Sequence, residues 1–213
     1  MTGAVLWDMD GTLVDSEEFH WLSWRDTMEQ EGVPVTREQF LATFGQRNDA
    51  ILPQWLGRDA TPERIQRIGD AKEALYRKLV RERGLQPLPG AKEWVARLHQ
   101  EGWRQAIASS APRANVEVVL EVTRLGSYFD AIVSAEDVTA GKPDPQVFLR
   151  AAGRLGVPPA RCIVVEDAAA GVEAAHRAGM RSIGVSRNVT LPADLAVKSL
   201  TDLPQNAFLY NWK

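Results

Sequence analysis

The chain has 213 residues, of which 45% are hydrophobic and 25% are charged, and its formal net charge is −3. Because a domain holds about 150 residues on average, this length predicts one large domain or one domain that carries an insertion. The composition excludes a largely disordered chain, and the slightly acidic charge argues against a basic surface for nucleic acid.

Neither a membrane span nor an export signal is expected in this sequence. No apolar run approaches the roughly 20 residues that cross a bilayer. Asp8 and Asp10 interrupt the apolar run at residues 4–7, and no basic segment precedes that run. The single cysteine, Cys162, excludes an internal disulfide and suits a reducing compartment. We therefore expect a cytoplasmic monomer without a membrane or nucleic-acid partner.

The first predicted strand, residues 4–7, is followed by a segment that shows helical patterns only. Within residues 16–83, Thr36 and Gln39 resemble a capping box, and Thr61 precedes a proline at the first position of a helix. The apolar face of that helix is predicted to hold Ile65, Ile68, Leu75 and Leu79.

The sequence Leu88-Pro89-Gly90 then predicts a turn back into the core, since proline and glycine together break a helix. We interpret residues 16–83 as a helical cap domain that is inserted into a core domain formed by residues 1–15 and 84–213.

The rest of the chain alternates short β-rich runs with helical patterns, as expected for a parallel sheet flanked by helices. The further predicted strands are residues 104–108, 131–134, 162–165, 181–185 and 195–198. The predicted helices are 91–101, 114–125, 145–155 and 171–178, and each has a glycine at its stop position: Gly102, Gly126, Gly156 and Gly179. The predicted fold is therefore α/β, with a Rossmann-like parallel sheet and a helical insertion after the first strand.

Polar and charged residues follow the predicted strands, where ligands bind in open parallel sheets. They are Asp8 with Asp10, Ser109 with Ser110, Lys142, and Glu166 with Asp167. Each has an ordinary alternative explanation: an Asp-Gly turn, a serine that caps a helix, or a loop lysine in solvent. Burying the final acidic pair without a cation would, however, be costly.

Taken together, these residues are similar in order and spacing to the motifs of a known family. The chain carries Asp8-Met9-Asp10-Gly11-Thr12, Ser109, Gly141-Lys142-Pro143 and a run from Glu166 to Gly171. It resembles the haloacid dehalogenase superfamily, and within it the β-phosphoglucomutase-like group of phosphatases and phosphomutases, which carry a helical cap after the first motif. The similarity extends over nearly the whole chain.

The resemblance implies phosphoryl transfer that depends on Mg²⁺. Asp8 would attack phosphorus and form an aspartyl phosphate, while Asp10 would act as general acid and base. Ser109 and Lys142 would hold the transferring phosphoryl oxygens. The implied Mg²⁺ ligands are Asp8, the main-chain carbonyl of Asp10, Asp167 and, directly or through support of the others, Glu166. The chain departs from the family pattern at Ala168, where a serine or threonine is frequent.

The cap residues implied to contact the substrate are His20, Trp24, Arg47 and Lys78, together with Ser110 from the core. His20 and Trp24 lie one helical turn apart, and packing is the alternative explanation for both. The guanidinium of Arg47 suits a second phosphate or carboxylate, although a cap with many basic residues offers such a group by chance.

Two functions remain open, and a third is weaker. The first is a phosphatase acting on a small phosphorylated metabolite, and the second is a β-phosphoglucomutase-type sugar phosphomutase. We favour hydrolysis because Ser16 follows Asp15, where mutases commonly have threonine. A receiver domain also combines an acidic pair, a hydroxyl and a lysine, but its acceptor is on a central strand and it has no large cap.

Overall fold

A six-stranded parallel sheet with the strand order β3-β2-β1-β4-β5-β6 forms the centre of the structure, a computed structural model that describes residues 3–209. The strands are β1 (Ala4–Trp7), β2 (Arg104–Ala108), β3 (Ala131–Val133), β4 (Cys162–Glu166), β5 (Arg181–Val185) and β6 (Leu195–Val197). The six predicted strands are confirmed to within a residue at each end. The first two and last four residues of the predicted core domain lie outside the described residues.

Strand β1 lies inside the sheet, between β2 and β4, and its four residues are completely buried. Its unbroken apolar sequence is typical of a parallel strand that is covered on both faces. Val5 and Trp7 pack into one apolar cluster, whereas Ala4 and Leu6 pack into another on the opposite face. The indole N–H of Trp7 donates to the side-chain oxygen of Gln105 at 3.0 Å, so its polar atom is satisfied.

Eight α-helices accompany the sheet in the described part of the chain. They are α1 (Glu17–Gln30), α2 (Arg37–Leu41), α3 (Asn48–Leu56), α4 (Pro62–Arg83), α5 (Ala91–Gln100), α6 (Arg113–Thr123), α7 (Gln146–Leu155) and α8 (Ala169–Arg177). Helices α5 to α8 correspond to the four helices predicted after the turn back into the core.

The predicted glycine stops are found after three of these four helices. Gly102, Gly156 and Gly179 have φ values of +80°, +66° and +71°, in the left-handed region that favours glycine. The prediction for Gly126 is wrong: α6 ends earlier than expected, and Arg124 takes the left-handed position with φ of +57°. Gly126 instead begins a short 3₁₀ turn. The left-handed backbone conformation of Arg124, which is not glycine, costs roughly 1–2 kcal/mol.

The segment between β1 and α5 holds α1 to α4 and, among its described residues, no strand. These helices share an apolar cluster of their own, which includes Trp24, Phe40 and Ile68. The predicted capping box is present: the amide of Gln39 donates to the Thr36 hydroxyl at 3.2 Å, and the Thr36 amide donates to the Gln39 side chain at 2.8 Å. The predicted helical insertion is therefore present, while its treatment as a domain with limits at 16 and 83 stays a prediction.

The buried face of α4 differs from the one predicted. Ile68 and Leu79 are buried as expected, whereas Ile65 and Leu75 lie half-buried beside that face. The remaining buried residues are Gly69, Lys72, Glu73, Tyr76 and Val80. Two charged side chains therefore occupy the centre of the buried face, and both belong to the site described below.

The two chain segments that connect the insertion to the core lie side by side. The amide of Leu88 donates to the carbonyl of Leu13 at 2.8 Å, and Val14 and Pro87 form an antiparallel bridge. Gly90 then turns the chain with φ of +86°, close against the backbone of Leu200. The predicted turn at Leu88-Pro89-Gly90 is confirmed.

Within residues 3–209, no helix combines the length and the apolar character that crossing a bilayer requires.

Candidate active site

One cavity of about 520 Å³ lies between the carboxyl end of the sheet and helices α1, α3 and α4. The core residues predicted for the site all line it: Asp8, Asp10, Ser109, Ser110, Lys142, Glu166 and Asp167. These residues come together because strands β1, β2 and β4 are parallel neighbours, so their carboxyl ends meet at the same edge. Of the predicted cap residues, His20, Trp24 and Arg47 also line the cavity.

Lys142 lies at the centre of the core side of the cavity. Its ammonium nitrogen is 2.6 Å from Asp8 Oδ1 and 2.5 Å from Glu166 Oε1, and it also donates to the carbonyl of Ala108 at 3.2 Å. Burial would lower the pKa of Lys142, but the two carboxylates raise it above its ordinary value. The lysine is therefore a fixed positive charge.

Three carboxylates converge beside this single ammonium. Asp8, Glu166 and Asp167 each offer an oxygen, and these oxygens lie within 4.8 Å of one another. Burial, together with Glu166 and Asp167, raises the pKa of Asp8 well above its usual range. Burial and Glu166 raise the pKa of Asp167 to about 7. The group therefore lacks positive charge, and hard oxygen donors so arranged fit a divalent cation.

Backbone groups hold the Glu166 carboxylate in place. Its Oε2 accepts the amides of Asp167 at 3.0 Å and Ala168 at 3.1 Å, while its Oε1 faces Lys142. Gly171 leaves the space that this carboxylate occupies, since a methyl group there would overlap it. The contact from position 168 comes from the main chain, so the alanine found there preserves it.

The carboxylate of Asp10 is hydrogen-bonded to residues outside this acidic group. Its Oδ1 accepts the Ser16 hydroxyl at 2.5 Å and lies 3.4 Å from His20 Nε2. Burial alone would raise the pKa of Asp10, but the hydrogen bonds from His20 and Ser16 and the nearby charges lower it. Proton transfer by this side chain and metal ligation through the main-chain carbonyl of Asp10 both stay predictions.

The hydroxyl groups predicted on the second strand lie where β2 ends. Ser109 is almost completely buried, and its hydroxyl oxygen accepts the amide of Ala111 at 3.0 Å. Its own hydroxyl hydrogen can still be donated to a bound group. Ser109 and Ser110 both line the cavity beside Asp8.

His20 and Trp24 line the cavity and also pack within the cap. The His20 ring stacks on Tyr76 with 4.1 Å between ring centroids, and its Nδ1 is 2.9 Å from Lys72 Nζ. Trp24 is buried, with Lys72 Nζ 5.0 Å from its ring centre and Trp55 edge-on at the same distance. His20 and Trp24 therefore both pack against other cap residues and line the cavity, so packing does not exclude contact with a substrate.

The structure separates the two basic residues predicted to contact the substrate. Arg47 lines the cavity, and its guanidinium donates to the carbonyl of Ala135 at 2.9 Å and to Asp49 at 3.0 Å. Lys78 lies outside the cavity: its side chain is 66% exposed and faces Glu82 on the same helix. The prediction for Lys78 is corrected, because its position on α4 is one that points into solvent.

Sequence reasoning missed a buried polar group on the cap side of the cavity. Lys72 and Glu73 line it together with Asn48, and Asn115 of α6 joins them through Glu73. A signal was available, because Lys72 and Glu73 follow the apolar Ile68 and Gly69 by one turn of α4. Two charges on a buried helix face need partners, and that need marks a candidate site.

Fold and site together define an enzyme with a parallel-sheet core whose active-site edge is covered by an inserted helical segment. The chain matches the haloacid dehalogenase-like hydrolase family over residues 5–185, and it belongs to that family. The resemblance found in its motifs is confirmed, as are the fold class and the enzyme class of phosphoric monoester hydrolases and phosphomutases.

Named relatives include both kinds of activity. Hexitol phosphatase B of Escherichia coli (strain K12) is 37% identical and covers 94% of this chain and 93% of its own length. Beta-phosphoglucomutase of Bacillus subtilis (strain 168) is 33% identical, covering 99% of this chain and 95% of its own. The crystal structure of beta-phosphoglucomutase from Clostridium difficile superposes with a TM-score of 0.85 and 26% identity, over 97% of this chain and 95% of that one.

Proposed function

We propose that this enzyme is a Mg²⁺-dependent phosphatase that hydrolyses a small phosphorylated metabolite, a sugar phosphate or a similar compound, through an aspartyl phosphate. The observation that supports this proposal most directly is the position of Asp8. It follows β1 at the cavity, lies 2.6 Å from Lys142 and is grouped with Glu166 and Asp167. The sugar-phosphate relatives of both kinds support the substrate class. A monomeric state and a cytoplasmic location stay predictions.

The residues that would hold Mg²⁺ are Asp8, Asp167 and the main-chain carbonyl of Asp10, with Glu166 beside them. Carboxylates grouped this closely suit Mg²⁺, which is bound by one or two carboxylates and keeps several waters. When bound, the ion would offset the negative charge that otherwise keeps a carboxylate away from a phosphate ester. Lys142 supplies further positive charge at the same place.

The side chains of this enzyme would divide the chemistry between two neighbouring aspartates. An oxygen of Asp8 forms a bond to phosphorus as the bond to the leaving oxygen breaks, and Asp10 donates a proton to that oxygen. The proton that Asp10 gives to the leaving oxygen is the one it holds from the preceding turnover, so the cycle as a whole consumes none. Asp10 then removes a proton from the water that hydrolyses the aspartyl phosphate.

The phosphomutase remains the second candidate because a beta-phosphoglucomutase is 33% identical over 99% of the chain. A mutase has to retain a sugar bisphosphate while it reorients, and it has to keep water out meanwhile. Arg47 is the cavity residue suited to a second phosphate, but Asp49 and the Ala135 carbonyl already occupy its guanidinium. This pairing, with Ser16 after Asp15, favours hydrolysis.

A panel of phosphorylated sugars, polyols and acids tests the proposal by phosphate release. We expect steady release from at least one monophosphate without any bisphosphate primer. If β-glucose 1-phosphate instead gave glucose 6-phosphate, required a catalytic bisphosphate and released little free phosphate, the phosphomutase would replace the phosphatase.

Arg47→Ala is expected to change kcat/KM by no more than about threefold for a substrate with one phosphate, because Arg47 is already paired with Asp49 and Ala135. The measurement compares steady-state rates on the best monophosphate of the panel. Arg37→Ala serves as the control, since Arg37 lies outside the cavity and pairs with Glu17 and Glu18. A hundredfold loss confined to Arg47→Ala would instead show that Arg47 holds the substrate.

A further inference from the structure

A chain of hydrogen bonds runs from helix α6 of the core through the cap to Asp10. Its members are Asn115, Glu73, Lys72, His20 and Asp10, in that order. Glu73 and Lys72 are 6% and 2% exposed, so both charges have been removed from water. Buried charges persist only with close partners, and the arrangement of those partners shows what Glu73 does.

Glu73 receives hydrogen bonds from three different helices. Its Oε1 accepts Lys72 Nζ at 2.9 Å from α4 and Asn48 Nδ2 at 2.8 Å from α3, while its Oε2 accepts Asn115 Nδ2 at 2.5 Å from α6. Burial would raise the pKa of Glu73, but Lys72 and the two amides lower it. The carboxylate is therefore the counter-ion of Lys72 and, at the same time, a direct link between the cap and the core.

Two residues of α4 that lie one helical turn apart form hydrogen bonds with the side-chain amide of Asn115. Glu73 accepts from its amide nitrogen, and Arg77 donates to its amide oxygen at 3.0 Å. These opposite demands fix which end of the amide faces which residue. The contact of α4 with α6 therefore fixes the Oε2 side of the Glu73 carboxylate, while Lys72 and Asn48 hold Oε1.

Lys72, which is paired with Glu73, determines which ring nitrogen of His20 carries the proton. An ammonium group has no lone pair, so in its contact with Lys72 Nζ the Nδ1 of His20 must be the acceptor. The ring proton then resides on Nε2, the nitrogen that faces Asp10 Oδ1 at 3.4 Å. Without Glu73, Lys72 would be a buried charge with no carboxylate partner and would leave this position.

We propose that Glu73 is a positioning residue for proton transfer by Asp10, which it controls through Lys72 and His20. The proposal rests on the proposed phosphatase function, because it assigns Asp10 the proton transfer to the leaving oxygen. Since Asn115 belongs to the core, residues of both the core and the cap contribute to this arrangement.

The test uses the dependence of rate on the leaving group. A sugar phosphate has a poor leaving group that requires a proton, whereas p-nitrophenyl phosphate has a good one that does not. We expect Glu73→Gln to lower kcat on the best sugar phosphate by about 30-fold, and on p-nitrophenyl phosphate by less than about threefold, with KM for the sugar phosphate changed less than kcat. Glu73→Asp, which keeps the charge beside Lys72, should recover much of the loss.

Glu82→Gln is the matched control, because it removes the same charge from an exposed position on the same helix, outside the cavity. Its rates on both esters should equal those of the wild type. Thermal unfolding of each variant identifies losses caused by instability. If Glu73→Gln does not fold, Asn115→Ala provides the same comparison, since it releases Glu73 from α6 and keeps the charge. Equal losses on the two esters would overturn the proposal.

A second measurement tests this series of hydrogen bonds directly and does not depend on enzyme turnover. The ring nitrogen shifts of His20, one of three histidines in the chain, should report a proton on Nε2 in the wild type and loss of that preference in Glu73→Gln. An unchanged His20 tautomer would overturn the proposal even if the variant were slow. A wild type that hydrolysed neither ester would refute the phosphatase function alone, because the tautomer is measured on the protein itself.

Discussion

Asp8→Asn is expected to lower kcat by more than about a thousandfold while leaving the fold intact. The amide has nearly the shape of the carboxylate but cannot attack phosphorus. The variant also removes one of three carboxylates that repel one another around Lys142, so the thermal midpoint should be unchanged or higher. Phosphate release under saturating substrate and a thermal melt measure the two quantities.

The control for this variant is Asp26→Asn, which makes the same chemical change at an exposed residue paired with Arg25 in α1. It should retain wild-type turnover. If Asp8→Asn kept more than about a tenth of the wild-type rate, Asp8 would not be the nucleophile. A second result follows from the mechanism: with wild-type enzyme, rapid acid quenching of labelled substrate should trap phosphate on the protein, and with Asp8→Asn it should not.

Removal of divalent metal is expected to abolish activity, and Mg²⁺ should restore it. Asp167→Ala should raise the Mg²⁺ concentration for half-maximal rate by at least about tenfold, because it takes one oxygen donor from the acidic group. Ca²⁺ should inhibit, since its larger and looser shell misplaces the nucleophile relative to phosphorus. Rate titrations with each ion after treatment with chelator give these values.

Glu173→Ala is the matched control, because it removes an exposed carboxylate of α8 that pairs with Arg177 and lies outside the cavity. Its Mg²⁺ requirement should be that of the wild type. Full activity in excess EDTA would contradict the metal requirement. An equally active Ca²⁺ form would contradict the close positioning of Asp8.

The centre of the sheet was predictable because strands β1 and β4 are fully buried and have a simple pattern. A parallel strand covered on both faces is an unbroken apolar run, as in β1, and a polar residue at its end marks the edge where ligands bind. The same logic predicts from the sequence that Asp8, Ser109 and Asp167 lie near one another. The prediction that Gly126 ends α6 was wrong because the residue with left-handed backbone at a helix end need not be glycine. Arg124 takes that position here.

The cap side was less predictable, because its function depends on charges placed where apolar residues are expected. A periodicity of apolar residues finds Ile68 and Leu79 on α4 but passes over Lys72 and Glu73 on the same face. Their burial follows from partners distant in sequence, such as His20 and Asn115. The placement of Lys78 failed for the same reason, since helix rotation relative to the core decides which cation reaches the cavity.

The contact between Leu13 and Leu88 has a consequence for the history of such proteins. The inserted helices leave and return to the core at adjacent points. For the core, the insertion is therefore equivalent to a loop whose two ends are in contact. The entropy cost of closing a loop rises slowly with length, by about 0.6 kcal/mol for each doubling. Insertions of very different size can therefore be exchanged at this junction at little cost to folding. Selection can therefore change the inserted helices while the parallel sheet and the residues at its carboxyl edge stay the same.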